Sequence, residues 1–143
     1  MSSLQSKGNG IFVETATDLS AAIGKLVTFT AGAPVVSASA TVPAVGIVLD
    51  ARKRTVGSTT TNDNAIGILG AVPGTVRAKI SATATAIKFG DALQQSTDGT
   101  LTNDAGSGAR SIVAVCAELN GAVAGDLCDV CLLVPVARGT IAS

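Results

Sequence analysis

The residues able to do chemistry are few, and their spacing narrows what they can do. Cys128-Asp129-Val130-Cys131 is a C-x-x-C pair with Cys116 upstream, in a chain with three Cys and no His. A structural zinc site needs four thiolate or imidazole ligands, so one pair and a single extra cysteine fall short. A redox dithiol sits at a helix start, where the dipole lowers the thiol pKa; this pair lies in a run with strand character. Residues three apart on a strand face opposite sides. The two sulfurs are therefore expected to diverge, and the cysteines to act as small buried apolar side chains. Without imidazole, neither a Ser-His-Asp nor a Cys-His nucleophile can be assembled. Acid–base work near pH 7 would fall to carboxylates. Asp50, Asp91, Asp98, Asp104, Glu118, Asp126 and Asp129 mostly sit beside glycine or at expected strand ends, where turn and capping roles account for them.

Four further clusters read the same way. Asn62-Asp63-Asn64 and Asn103-Asp104 carry oxygens for calcium, but lack the fixed acidic spacing and closing bidentate Glu of a calcium loop; turn chemistry is expected. Gly67, Gly70 and Gly74 form no phosphate loop before a helix and read as strand ends and bulges. Arg52-Lys53-Arg54 is the one charge cluster, expected as a solvated surface able to meet acidic residues of a partner. There is no Trp or Tyr to stack on single-stranded nucleic acid. The expectation is a protein that is not an enzyme, with no metal, cofactor, small-molecule substrate or specific nucleic acid.

The elements that carry these residues read as short β runs cut by glycine turns. Residues 1–17 are expected as an N-terminal arm, 18–136 as a β domain and 137–143 as a C-terminal tail. Ile11-Phe12-Val13 is the first apolar cluster. Asp18 to Gly24 reads as one helical turn with Asp18 as N-cap. Lys25 to Thr30, Ala44 to Asp50 and Ala65 to Leu69 are strand candidates, with Arg52 to Asn64 between the last two as an exposed loop or mobile hairpin. Thr75 to Ser81 alternates most cleanly: Val76, Ala78 and Ile80 face in, and Thr75, Arg77, Lys79 and Ser81 face out. Asp98-Gly99 signals a hairpin between Asp91–Gln95 and Thr100–Thr102. Ser111 to Glu118 and Leu127 to Val136 are the longest β runs, and Pro135 is expected on an edge or at a strand end.

The halves share a rhythm. Ala22-Ile23-Gly24-Lys25-Leu26-Val27 sets against Lys88-Phe89-Gly90-Asp91-Ala92-Leu93, and Val45 to Asp50 against Ile112 to Ala117, at an offset of about 66 residues. Either an old duplication or the sameness of valine-rich strands produces that. The fold class expected is all-β: a compact sandwich or small barrel with an extended N-terminal arm and two pseudo-repeated halves as one option.

Composition bounds the rest. The chain is 47% hydrophobic but only 2% aromatic, so whole-chain disorder is not expected. Small side chains bury little area each, at about 25 cal/mol per Å², so a lone subunit is expected to gain stability from contact with others. Ten Lys and Arg balance ten Asp and Glu, leaving no net field to draw in nucleic acid or an anionic membrane. No run is apolar for the 18 or more residues of a membrane span, and the first ten residues lack an apolar signal core. Cytosolic synthesis and reduced cysteines are expected.

Several segments together carry a family likeness: Ile23-Gly24-Lys25-Leu26-Val27, Pro43 to Leu49, Phe89-Gly90-Asp91-Ala92-Leu93 through Asp98-Gly99-Thr100-Leu101-Thr102, Val113 to Glu118, Ala124-Gly125-Asp126 and Val130 to Leu133. They resemble the small head-decoration (cement) proteins of tailed bacteriophages, over most of residues 20 to 135; Arg52 to Asn64 lies outside the likeness. The resemblance implies a non-enzymatic protein, made in the host cytoplasm and located on the outer capsid surface of the virion. Its partners would be the major capsid protein and itself, as a homotrimer. Within that picture Ser2 to Val13 is the expected docking segment, adding a strand to a capsid sheet edge. Ile11, Phe12 and Val13 would be its anchors, and Arg52, Lys53 and Arg54 a second contact. The alternatives are another virion component (tail-tube, head–tail or fibre-base protein) and a β binding or adhesin module. The last lacks the Trp or Tyr of a sugar platform.

Overall fold

The computed structural model describes residues 11–15 and 17–139. They form ten strands: β1 Ile11–Thr15, β2 Leu26–Thr30, β3 Ala33–Val36, β4 Gly46–Val56, β5 Thr59–Ile68, β6 Val76–Lys79, β7 Ala92–Gln95, β8 Leu101–Asn103, β9 Arg110–Cys116 and β10 Leu127–Arg138. One 3-10 turn, Ser20–Ala22, is the only helical element among the described residues. The protein is all-β, as expected.

The strands divide into two five-stranded antiparallel sheets, ordered β1-β5-β4-β2-β3 and β6-β10-β9-β7-β8. Adding five to each number of the first order gives the second, so the topology repeats. The register repeats as well. Leu26 opposes Ile47, which opposes Gly67; Ala92 opposes Val115, which opposes Cys131. Ile11 opposes Ile66 as Val76 opposes Val130. A backbone bracket recurs at the head of each half. Gly24 N–H donates to Val48 O and Gly90 N–H to Cys116 O (2.9 and 2.8 Å). Val48 and Cys116 donate back to the carbonyls of Lys25 and Asp91 (3.0 and 2.9 Å). Gly24 and Gly90 take the same left-handed φ, +86° and +87°, which only glycine adopts at little cost. The shared rhythm of the sequence is thus a repeated structure.

Each half packs equivalent residues inward. In the first half Val27, Val48 and Ile66 form a cluster with Leu19 and Ala22, flanked by partly buried Ile11, Val13, Phe29, Val36 and Ile68. In the second, Leu93, Cys116 and Val130 occupy the matching places. That second core is larger because Leu26, Ala44, Ile47, Leu69 and Val72 of the first half close over it. Buried Gln95 fastens the intervening 37–44 segment: its Oε1 accepts from Ala44 N–H (2.9 Å) and its Nε2 donates to the carbonyls of Ser39 and Val42 (2.6 Å each).

Several expectations need correction. The stretch expected as an arm contains β1, which pairs with β5 through all five of its residues. Residues 2–10 lie outside the described residues. The expected tail begins inside β10, which runs to Arg138; residues 140–143 lie outside the described residues. Arg52 to Asn64, expected as an exposed loop or mobile hairpin, is the hairpin of the two: a long paired ladder that turns at Gly57 and Ser58. The consecutive threonines Thr59, Thr60 and Thr61 suit a strand, because β-branched side chains fit a pleated ladder. Ser81, expected to face out, is buried. Leu19, not Asp18, holds the cap position of the 3-10 turn; Asp18 instead accepts from Ser20 N–H (2.9 Å). Pro135 lies in an irregular stretch of β10, between Leu132 and Val136, where the β9 register shifts. The β6 neighbour has already ended at Val130, so the missing N–H removes no ladder bond on that side.

Candidate interaction surfaces

The cysteines behave as the strand spacing requires. Cys128 points into the core and Cys131 to the opposite face, half-exposed. Cys116, diagonal to Cys128 across β9 and β10, brings its sulfur to 3.6 Å. Both are free thiols. Burial, then the neighbouring Cys116 thiol, pushes the Cys128 pKa up to about 12, so it stays protonated and unreactive at neutral pH.

The carboxylates are engaged locally. Lys53 and the hydroxyl and N–H of Ser20 hold the Asp18 carboxyl well below the usual range. Burial pushes Asp98 up, but hydrogen bonds from the Thr100 hydroxyl and N–H outweigh it, and the net shift is downward. Arg110 and the N–H of Gly106 lower Asp104. Asp91 accepts from Lys88 N–H (2.8 Å). Asp129 and Glu118 both face Arg77 (3.2 and 3.7 Å). Among the described residues no three His, Cys, Asp or Glu side chains converge as metal ligands. Asn62-Asp63-Asn64, expected in a turn, lies within β5, and Asn64 donates to Thr17 O (3.2 Å).

Each member of the basic cluster has a carboxylate of its own chain: Arg52 with Asp50 (2.9 Å), Lys53 with Asp18 (2.8 Å), and Arg54 with Glu14 and, at 3.5 Å, Asp63. These are surface pairs, each worth about 0–1 kcal/mol. Of the three expected anchors, Ile11 and Val13 pack on the first-half core and only Phe12 turns outward. Alternation along β1 makes that unavoidable.

What the sequence reading missed is where the apolar surface lies. Residues 87–90 run beside 116–122: Ile87 and Ala122 exchange two hydrogen bonds (2.9 Å each). A Cβ on Gly121 would lie 2.3 Å from Ile87 O, so the approach needs glycine. This end exposes Phe89, Leu119 and Val123 at 58, 82 and 58%. The matching end of the first half is the tight β4–β5 hairpin, which exposes Val56 at its turn. The signal was present in the sequence: large apolar residues inside the glycine-rich stretch 119–125. No helix among the described residues is long and apolar enough to cross a membrane. No protein-family profile, curated protein or solved structure matches the chain.

Proposed function

We propose that this chain is a structural virion protein: a head-decoration protein that binds the outside of an expanded phage capsid and cements it. The observation that carries the reading is the set of large apolar side chains, Leu119, Val123 and Phe89, held in solvent on a β scaffold whose one basic cluster, Arg52-Lys53-Arg54, is already paired with carboxylates of its own chain. Exposed large apolar groups on neighbouring segments favour a protein–protein contact, and the sequence likeness to decoration proteins supports a capsid as the partner. A clamp that binds only the expanded lattice stabilises it by mass action, and many copies on one shell let each interface be modest in area. Residues 2–10, leading into β1 with the Phe12 ring at their base, are a second contact in this reading. The proposal includes no catalytic step, cofactor or small-molecule ligand.

The test is co-sedimentation of the purified protein with expanded and unexpanded tailed-phage heads and with isolated tails. Saturable binding to expanded heads alone, reduced at least about tenfold, or 1.4 kcal/mol, by Leu119→Asp, is the expected result. Binding to tails would move the protein to a tail or head–tail position. Binding to neither would end the virion reading.

A further inference from the structure

The two halves are alike in fold but not in surroundings, and the difference is directional. Gly24 of the first half is sealed by the second: a Cβ there would lie 3.0 Å from Leu127 Cδ2 and 3.1 Å from Lys79 N, and Lys79 N–H donates to Gly24 O (2.8 Å). A Cβ on its counterpart Gly90, at the same φ, would meet no described residue within 4 Å. The other side of the junction shows the same asymmetry. Gly99, in the β7–β8 turn, is packed against Val36 and Leu26 of the first half, and its carbonyl accepts from Leu26 N–H (2.7 Å). A Cβ on Gly32, in the matching β2–β3 turn, would meet no described residue within 4 Å.

The sheet faces repeat the contrast. The row Leu26–Ile47–Gly67 on the outer face of the first sheet is buried, and its Leu and Ile close the second-half core. The matching row Ala92–Val115–Cys131 is apolar and half-exposed, with Phe89 beside it at 58%. Conversely, the first-half core buries Val27, Val48 and Ile66 under its own Leu19 and Ala22, takes no second-half residue among the described ones, and leaves Ile11, Val13, Phe29, Val36 and Ile68 only partly buried.

A two-fold contact between halves would seal both glycines of each pair. The observed contact seals one of each, so it is head-to-tail, and it leaves one unused copy of each surface. We propose that these two surfaces dock between molecules: the Gly90, Ala92, Val115, Cys131 face of one chain covers the first-half core of a second copy. Register assigns the details. Glu14 is the counterpart of Lys79, so its N–H, on the β1 edge that no described strand pairs with, is the donor for Gly90 O, and the Gly32 turn takes the role of the Gly99 turn. Head-to-tail contacts close into a ring or run on as a filament. The inference rests on the internal repeat and not on the capsid reading.

The test is sedimentation of the free protein together with the thiol reactivity of Cys131. Oligomers are expected to grow with concentration, and the Cys131 rate with a maleimide to fall roughly tenfold as they form, since a covered thiol cannot be attacked. Val115→Arg blocks one surface and Glu14→Pro the other; proline is tolerated on an edge strand. Each variant alone should remain monomeric with an unchanged circular dichroism spectrum. An equimolar mixture should give dimers and nothing larger, because each partner keeps one intact surface. A wild-type chain still monomeric at roughly 1 mM, where a Kd of 1 mM would already show association, would overturn the proposal. So would assembly that leaves Cys131 fully reactive, or variants that fold but whose mixture gives no dimer. Should either variant lose its fold, the wild-type Cys131 reactivity decides alone.

Discussion

Replacing Gly24 and Gly90 separately by alanine isolates the contact between the halves. Both residues have φ near +86°, so each substitution carries the left-handed penalty of about 1–2 kcal/mol. For Gly90→Ala that is nearly the whole cost, since a Cβ there meets nothing within 4 Å. Gly24→Ala adds a second cost. Leu127 Cδ2 at 3.0 Å can swing aside, but Lys79 N at 3.1 Å is backbone, and moving it disturbs the edge of β6. Overpacking of this kind costs about 1–3 kcal/mol, and loosening the Lys79–Gly24 hydrogen bond about 1 kcal/mol more. Gly24→Ala should therefore lose about 3–6 kcal/mol against about 1–2 for Gly90→Ala. In a chain of this size each kcal/mol shifts Tm by roughly 3–5 °C. Without Trp or Tyr, urea unfolding followed by far-ultraviolet circular dichroism is the suitable assay, at low micromolar concentration so that association does not contribute. Equal losses would refute the head-to-tail junction.

Gln95→Leu should cost about 2–4 kcal/mol, because it strands the Ala44 N–H and the Ser39 and Val42 carbonyls together; limited proteolysis should then cut first within residues 37–44. Stability should be flat from about pH 5.5 to 8, because no His titrates there. Below that range the lowered carboxyls of Asp18, Asp98 and Asp104 bind protons less tightly folded than unfolded. Their contribution is present above the unfolded value of about 4 and is lost as pH falls through the folded values, so Tm measured against pH should drop below about pH 4. The raised Cys128 thiol has the opposite sense: its contribution is lost as pH rises above about 9 toward its folded value of about 12. Cys128→Ala should flatten that alkaline limb. In native monomer Cys131 alone should react promptly with a thiol reagent, and Cys116 and Cys128 only on unfolding; prompt reaction of all three would contradict their burial.

Strand positions were legible because alternation and glycine punctuation are local. Thr75–Ser81, Asp98-Gly99 and Leu127–Val136 all announced themselves that way, and the offset between Ile23-Gly24 and Phe89-Gly90 exposed the repeat. The β4–β5 hairpin was obscured because Asn62-Asp63-Asn64 and the threonine run have turn-like composition; pairing to β1 on one side and β4 on the other overrides it. Ile11 and Val13 looked like docking anchors because the sequence does not show which face of β1 meets a core. The open and sealed glycines were beyond reach: identical residues in identical local conformations differ only in what the other half brings against them.

The clustering of core residues also sets an order of events during synthesis. The 11–68 half leaves the ribosome first, and its apolar cluster is built only from its own side chains. The later half cannot finish its interior until Leu26 and Ile47 are there as a lid. Domains generally fold as units, N-terminal first, so the lid is in place before it is needed. A permuted gene that encodes the halves in reverse would release the dependent one first, its valines and leucines bare to water, and its yield in inclusion bodies should rise accordingly.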